Sequence, residues 1–194
     1  MSSYETPIPF VAARHFSAAN RTKVDLIVIH TAECSEGPSS ARAVADYFAG
    51  ANAPQASAHY VVDADHVIQC VLEKDIAWHA PGANDRGIGI EHAGFARQTS
   101  ADWRDNYSEK ELVNSANLAG TLAVRYGIPL RRLTVDELRA GARGFCGHVD
   151  ITIAFNGGKG HVDPGVAFPW DLYIDLVRGG IAPSNDDGND SIAA

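Results

Sequence analysis

The stretch "VDLIVIHTAEC" at residues 24–34 begins with a nearly continuous apolar run. Its β-branched content predicts a buried strand over residues 24–30. The strand ends abruptly at His30, which is followed by Thr31, Glu33 and Cys34. A histidine that closes a strand is commonly a hydrogen-bonded structural residue. A functional role for His30 therefore depends on partners from other segments.

Length and composition predict one soluble globular domain. The chain has 194 residues, of which 45% are apolar and 21% are charged. No apolar run approaches the roughly 20 residues that a membrane-spanning helix needs. A formal net charge of −8 without a basic cluster argues against nucleic-acid binding and against attraction to anionic membranes. We expect no nucleic-acid partner, no stable membrane association, and a monomer, because no sustained apolar stripe lies outside the predicted core.

The cysteines and the N-terminal segment indicate a cytoplasmic product. Three cysteines cannot form a closed set of disulfides, so we expect reduced thiols at Cys34, Cys70 and Cys146. The start, "MSSYETPIPFVAARHF", lacks the charged beginning and apolar centre of a secretion signal.

Strands that alternate with helices predict an α/β fold, a central mixed sheet flanked by helices in a single domain. Besides residues 24–30, "SAHYVVDADHVIQCV" (57–71) predicts a hairpin and "RGIGIEHAGF" (86–95) a short strand. Four segments show helical spacing with start or stop signals: residues 39–50, 108–127, 134–138 and 168–180.

Capping boxes and composition set the expected boundaries. Ser108 with Glu111, and Thr134 with Glu137, predict the starts of two helices. We expect an N-terminal extension at residues 1–23, the folded domain at 24–178, and a flexible tail or linker at 179–194, where Pro, Ser, Asn, Asp and Gly dominate.

Four segments place a metal-competent group beside an apolar or glycine-rich stretch. They contain His30, Glu91 in "GIGIEHAG", His148 in "FCGHVDIT", and His161 with Asp163 in "GKGHVDPG". A zinc hydrolase needs three protein ligands and one open position, at which a bound water can lose a proton near neutral pH. It also needs a nearby carboxylate and a donor for the oxyanion. The chain holds candidates for each role.

Every one of these residues also has a structural interpretation. Glu91 could pair with Arg86, and His148 and Asp163 could be turn residues. A thiolate from Cys34 or Cys146 could also reach a metal bound at His30 or His148. The pattern taken together favours the metal site.

The joint pattern resembles the zinc-dependent N-acetylmuramoyl-L-alanine amidases, the type 2 amidase and peptidoglycan-recognition-protein-like family. The resemblance extends from about residue 24 to 178 and rests on segments in the family's order: "VDLIVIHTAE", "SAHYVVDADHVIQCV", "IAWHAPGANDRGIGIEHAG", "GHVDI" and "HVDPGVAFPW". It implies that His30, His148 and Asp163 bind zinc and that Glu91 activates the attacking water.

The resemblance also suggests residues around the reaction centre. His161 stands where many relatives carry a lysine that stabilises the oxyanion, and Lys159 is an alternative donor. Trp78 and His79 in "AWHAPG" match residues of the substrate-pocket wall, although Trp78 could equally be a half-buried core residue. For His59 we expect a structural role or a place on the substrate rim.

The implied reaction is hydrolysis of the amide bond between N-acetylmuramic acid and L-alanine in peptidoglycan. Together with the expected cytoplasmic synthesis, it suggests a phage endolysin that reaches the cell wall after a holin opens the membrane. Two alternatives stay open: a cytosolic amidase that recycles anhydro-muropeptides, and a peptidoglycan-binding recognition module without catalysis.

Overall fold

A computed structural model describes residues 7–180, which form a sheet with helices on both faces. The helices are α1 (Ser40–Ala49), α2 (Asn106–Tyr126), α3 (Val135–Arg139), α4 (His148–Phe155) and α5 (Trp170–Gly179), and a short 3-10 helix covers Asp102–Arg104. The strands are β1 (Phe16–Ser17), β2 (Leu26–Thr31), β3 (Tyr60–Val62), β4 (Val67–Gln69), β5 (Ile76–Ala77), β6 (Gly87–His92) and β7 (Gly144–Gly147).

The main sheet has the order β4-β3-β6-β2-β7, with the apolar strand β2 inside it, between β6 and β7. Strands β3, β6, β2 and β7 are parallel, and only β4 is antiparallel to its neighbour. The predicted α/β class with a mixed sheet is therefore confirmed. In the register of β2 and β6, His30 lies opposite Glu91, so both side chains belong to the same edge of the sheet.

Alternate residues of β2 pack into separate cores, which explains why its first four positions are all apolar. Ile27 and Ile29 lie in the core under α2 and α5. Leu26 and Val28, on the opposite face, pack against the α3 and α4 side. His30 continues this second face because it follows Val28 by two residues. Rigid packing along the strand thus fixes the position of His30.

The start of α2 corrects one prediction. The helix begins at Asn106, and the Asp105 carboxylate caps it by accepting hydrogen bonds from the backbone amides of Tyr107 and Ser108. Ser108 is buried inside the helix, and Glu111 accepts a hydrogen bond from Ala93 instead of closing a capping box. The predicted box at Ser108 is wrong because an aspartate three residues earlier caps the helix.

The other helix boundaries agree better with the pattern. The capping box of Thr134 and Glu137 is confirmed, as Thr134 Oγ1 accepts from Glu137 N and Glu137 Oε2 from Thr134 N. Gly127 ends α2 in the left-handed conformation at φ 63°. Strand β7 and helix α4 were not predicted, because four residues with two glycines give no strand signal.

Residues 7–23 pack onto the domain. Ala13 is buried in a core with α1, and β1 pairs with β5. The domain boundaries at 23 and 178 stay predictions. Residues 1–6 of the predicted extension and residues 181–194 of the predicted tail lie outside the described residues. Between residues 7 and 180, no helix has both the length and the apolar character needed to cross a membrane.

Candidate metal centre and active-site cleft

The three predicted metal ligands converge at one edge of the sheet. His30 ends β2, His148 begins α4 directly after β7, and Asp163 lies in the loop before α5. Because β2 and β7 are adjacent and parallel, their ends bring the two histidines together, with ring centroids 4.7 Å apart. One ligand atom from each of the three residues lies within 4.8 Å of the other two.

Local hydrogen bonds hold His148 and Asp163 in place. The Asp150 carboxylate accepts a hydrogen bond from Gly147 N at 2.8 Å and so fixes the first turn of α4, to which His148 belongs. The amide of Val149 donates to the carbonyl oxygen of Asp163 at 2.8 Å, which ties the loop to the same turn. Backbone hydrogen bonding therefore joins the "GHVD" segment to the "HVDPG" segment.

The distances between donor atoms suit a single metal ion. Asp163 Oδ2 lies 3.0 Å from His30 Nδ1, and Asp163 Oδ1 lies 3.3 Å from His148 Nδ1. Ligand atoms about 2.0–2.1 Å from a tetrahedral zinc ion are about 3.3 Å from one another. All three residues are buried, each at most 5% exposed. The donor set of two imidazoles and one carboxylate therefore forms a candidate metal site.

The surroundings of Asp163 and His30 lower the pKa of both residues. Burial alone disfavours ionisation of Asp163, but hydrogen bonds from His148 and His30, together with their charges, hold the pKa of Asp163 well below its usual range. Burial lowers the pKa of His30, although Asp163 opposes this effect. An ionised carboxylate and a neutral imidazole are the forms that ligate zinc.

Glu91 borders the same cleft as the three candidate ligands. It is partly buried on β6, and its Oε2 atom is inaccessible and has no hydrogen-bond partner within residues 7–180. Burial, followed by the negative charges of Asp163 and Glu33, raises its pKa well above the usual range of a glutamate. A raised pKa makes the ionised carboxylate a stronger base than an exposed glutamate, which favours its taking a proton from a water molecule.

The cleft encloses about 720 Å³ and extends from the metal-ligand group to helix α1. Trp78 lines it and is partly buried. The Trp78 Nε1 atom donates to Ser17 Oγ at 2.9 Å, and the indole stacks on His15 with centroids 5.9 Å apart. Residues of the N-terminal segment thus hold this wall in place.

His79 and His59 lie one behind the other. His79 lines the cleft but is only 6% exposed, and its Nδ1 atom lies 3.0 Å from His30 Nε2. His59 is completely buried beyond His79 and does not border the cleft. Burial and the nearby Arg21 lower the pKa of His59 to about 3. His59 lies in the bend directly before β3 with its ring in the interior, which favours the structural role over the place on the substrate rim.

His161 lies at the lip of the cleft. Its side chain is 68% exposed, and its ring stacks on that of His148 with centroids 4.1 Å apart. Its Nδ1 atom lies 3.5 Å from Asp163 Oδ1. Lys159 is exposed and is absent from the lining of the cleft within the described part of the chain. Of the two candidate oxyanion donors, His161 is the one beside the metal-ligand group.

Comparison with known proteins identifies the family of the chain. The sequence model of the N-acetylmuramoyl-L-alanine amidases matches residues 20–166. The chain belongs to this family. N-acetylmuramoyl-L-alanine amidase A of Achromobacter lyticus is 29% identical to it over 185 residues, covering 89% of this chain and 92% of that protein. The chain is an N-acetylmuramoyl-L-alanine amidase that acts on peptidoglycan, which confirms the predicted activity.

Solved structures share the fold of this amidase. The hydrolase AmiA of Staphylococcus aureus, in complex with its ligand, superposes with a TM-score of 0.64 at 19% identity, over 90% of this chain and 83% of that one. An AmpD derivative gives a TM-score of 0.64 at 21% identity, over 91% and 98% of the two chains. A mutant endolysin from Bacillus subtilis gives 0.58 at 20% identity, over 89% and 99%.

The cysteines of the amidase lie outside the candidate metal group. Cys34 lines the cleft and is half-buried, while Cys146 is completely buried beside Leu26 and Val28. Burial raises the pKa of both thiols, which disfavours the thiolate form needed for ligation.

Two glycines of β6 are site residues that sequence reasoning missed. A Cβ atom on Gly89 would lie 2.6 Å from His79 Cγ, and one on Gly87 would lie 3.2 Å from His79 Cε1. The imidazole therefore occupies space that only glycine leaves free. The signal was present in "GIGIE", where glycines alternate onto the face that Glu91 continues.

Proposed function

We propose that this amidase is zinc-dependent, with His30, His148 and Asp163 as the ligands and Glu91 as the general base and acid. The observation that supports it is the convergence of these three donors beside a carboxylate whose Oε2 atom has no partner among the described residues. The buried donor set and the spacing of its atoms fit the metal.

Amide hydrolysis at this site requires a metal ion, a proton-transferring side chain and a surface that binds the substrate. A zinc ion in this site would polarise the scissile carbonyl and acidify a water molecule. Glu91 takes a proton from the attacking water and transfers it to the departing amine of L-alanine as the carbon–nitrogen bond breaks. The products are the free lactyl carboxylate of N-acetylmuramic acid and a free alanine amino terminus. Trp78 packs against the sugar or peptide portion of the substrate at the cleft wall.

We assign the oxyanion donor to His161 and not to Lys159. Replacing His161 with alanine is expected to lower kcat by about 10²-fold, the effect of removing one oxyanion donor. Lys159→Ala is the matched control and should retain nearly full activity, because Lys159 lies outside the cleft. The measurement is the rate of muropeptide hydrolysis at saturating substrate. A large loss in Lys159→Ala with little loss in His161→Ala would reverse the assignment.

We further propose that the enzyme acts as a monomer on the intact cell wall, as phage-type lytic enzymes do, after synthesis in the cytoplasm and holin-dependent release. The fold shared with a Bacillus subtilis endolysin and a cleft that reaches the surface at the exposed Tyr47 support this context.

Wall hydrolysis separates this proposal from a recycling role. Purified enzyme is incubated with intact sacculi and, in parallel, with soluble anhydro-muropeptides, and new alanine amino termini are quantified. We expect faster release from sacculi, with loss of release after chelation and recovery after zinc is returned. Hydrolysis of the soluble fragments alone would identify a recycling amidase. Full activity after complete removal of metal would contradict the zinc mechanism.

A further inference from the structure

The contact between His30 and His79 extends the proposed metal site by one residue. We propose that His79 is a positioning residue, whose Nδ1 atom accepts the Nε2 hydrogen of His30 and thereby directs His30 Nδ1 to the metal. This inference rests on the zinc site proposed above. It gives His79 a role different from the substrate contact expected from the sequence.

The two nitrogens of His30 face different partners. Nδ1 lies 3.0 Å from Asp163 Oδ2, and Nε2 lies 3.0 Å from His79 Nδ1. Within residues 7–180, the hydrogen-bond partner of His30 Nε2 is His79 Nδ1. A neutral imidazole carries one hydrogen, so a His30 that offers its Nδ1 lone pair to a metal must carry that hydrogen on Nε2. His79 must then accept at Nδ1 and carry its own hydrogen on Nε2.

The protein fixes the His79 ring from several sides. The ring lies over Gly87 and Gly89, where any Cβ atom would crowd it. The ring of His59 packs behind it at a centroid distance of 5.6 Å, and the backbone amide of His79 donates to Asn84 Oδ1 at 3.0 Å. The rings of His30 and His79 are nearly perpendicular, at 84°. A ring held this firmly can hold its neighbour in one orientation.

The test compares a variant that keeps an acceptor with one that removes it. Asparagine places its Oδ1 atom near the position of imidazole Nδ1, whereas leucine fills the space without an acceptor. Zinc affinity is measured by competition with a chelator for the wild type, His79→Asn and His79→Leu. We expect His79→Leu to bind zinc about 10–100-fold more weakly and His79→Asn to stay within a few-fold of the wild type. His66→Leu, at an exposed histidine that does not line the cleft, should bind as the wild type does.

Wild-type affinity in His79→Leu would overturn the proposal, as would an equal loss in the asparagine and leucine variants. A measurement on the unmodified protein keeps the test decisive if His79→Leu does not fold. Nitrogen-15 NMR of the zinc-loaded wild type should show His79 with its hydrogen on Nε2 and an accepting Nδ1. A hydrogen on Nδ1 would contradict the assignment.

The two proposals fail in distinguishable ways. A wild-type protein that binds no zinc contradicts the proposed zinc mechanism itself. A wild type that binds zinc and hydrolyses the wall, together with a His79→Leu variant of equal zinc affinity, contradicts only the positioning role of His79.

Discussion

Replacing Glu91 with glutamine is expected to lower kcat by about 10²–10⁴-fold, the contribution of a well-placed general base and acid. Glutamine has nearly the same shape but cannot take a proton from water. Because Glu91 is not one of the three candidate ligands, the variant should retain wild-type zinc content. The measurement is the rate of wall hydrolysis, paired with metal analysis of the same sample.

The matched control for Glu91→Gln is Glu33→Gln. Glu33 also lines the cleft, but its Oε1 atom is engaged by Thr31 Oγ1 at 2.9 Å and by Ala96 N at 2.7 Å. Glutamine can accept both of these hydrogen bonds, so only a small change in rate is expected. Wild-type activity in Glu91→Gln, or loss of its zinc, would show that Glu91 does not have the proposed role.

Asp163→Asn is expected to produce the second large effect, a loss of metal. Each carboxylate oxygen of Asp163 lies beside one of the two candidate histidine ligands, at 3.0 Å from His30 and 3.3 Å from His148. Asparagine removes the only negative charge among the three ligands. Zinc affinity should fall by more than the roughly 10–100-fold typical of a residue behind the ligands, and wall hydrolysis should fall with it.

The control variant is Asp171→Asn, which removes a negative charge at an exposed position of α5. This helix follows the loop that contains Asp163. It should retain wild-type affinity and rate. Calorimetric titration of the metal-free proteins with zinc gives the affinities, and thermal unfolding without metal checks that both variants fold. An Asp163→Asn variant that binds zinc as tightly as the wild type would remove Asp163 from the ligand set.

Much of the site was predictable because strands of strong apolar character end in polar residues. The apolar run before His30 and the alternation of glycine and isoleucine before Glu91 predicted where two strands end. Because these two strands pair in parallel, both side chains lie at one edge of the sheet. The family resemblance supplied His148 and Asp163, which the structure brings within ligand distance of His30.

Other features depended on tertiary contacts that no local pattern carries. His59 lies in a bend directly before β3, where no strand alternation sets its direction, and packing against Arg21 and His79 places its ring in the interior. The short strand β7 forms because β2 offers it a partner, since its own sequence has little strand propensity. Asp105 was missed as a cap because the pattern at Ser108 and Glu111 also matched a helix start.

X-ray diffraction from crystals of the zinc-loaded enzyme, recorded at the zinc absorption edge, tests the proposed metal site. The proposed site predicts one anomalous peak at about 2.0–2.2 Å from a nitrogen atom of His30, a nitrogen atom of His148 and a carboxylate oxygen of Asp163. The Glu91 carboxylate should face this ion across the cleft without bonding to it. A peak located elsewhere, ligation through Cys34 or Cys146, or an active crystalline enzyme without any zinc peak would contradict it.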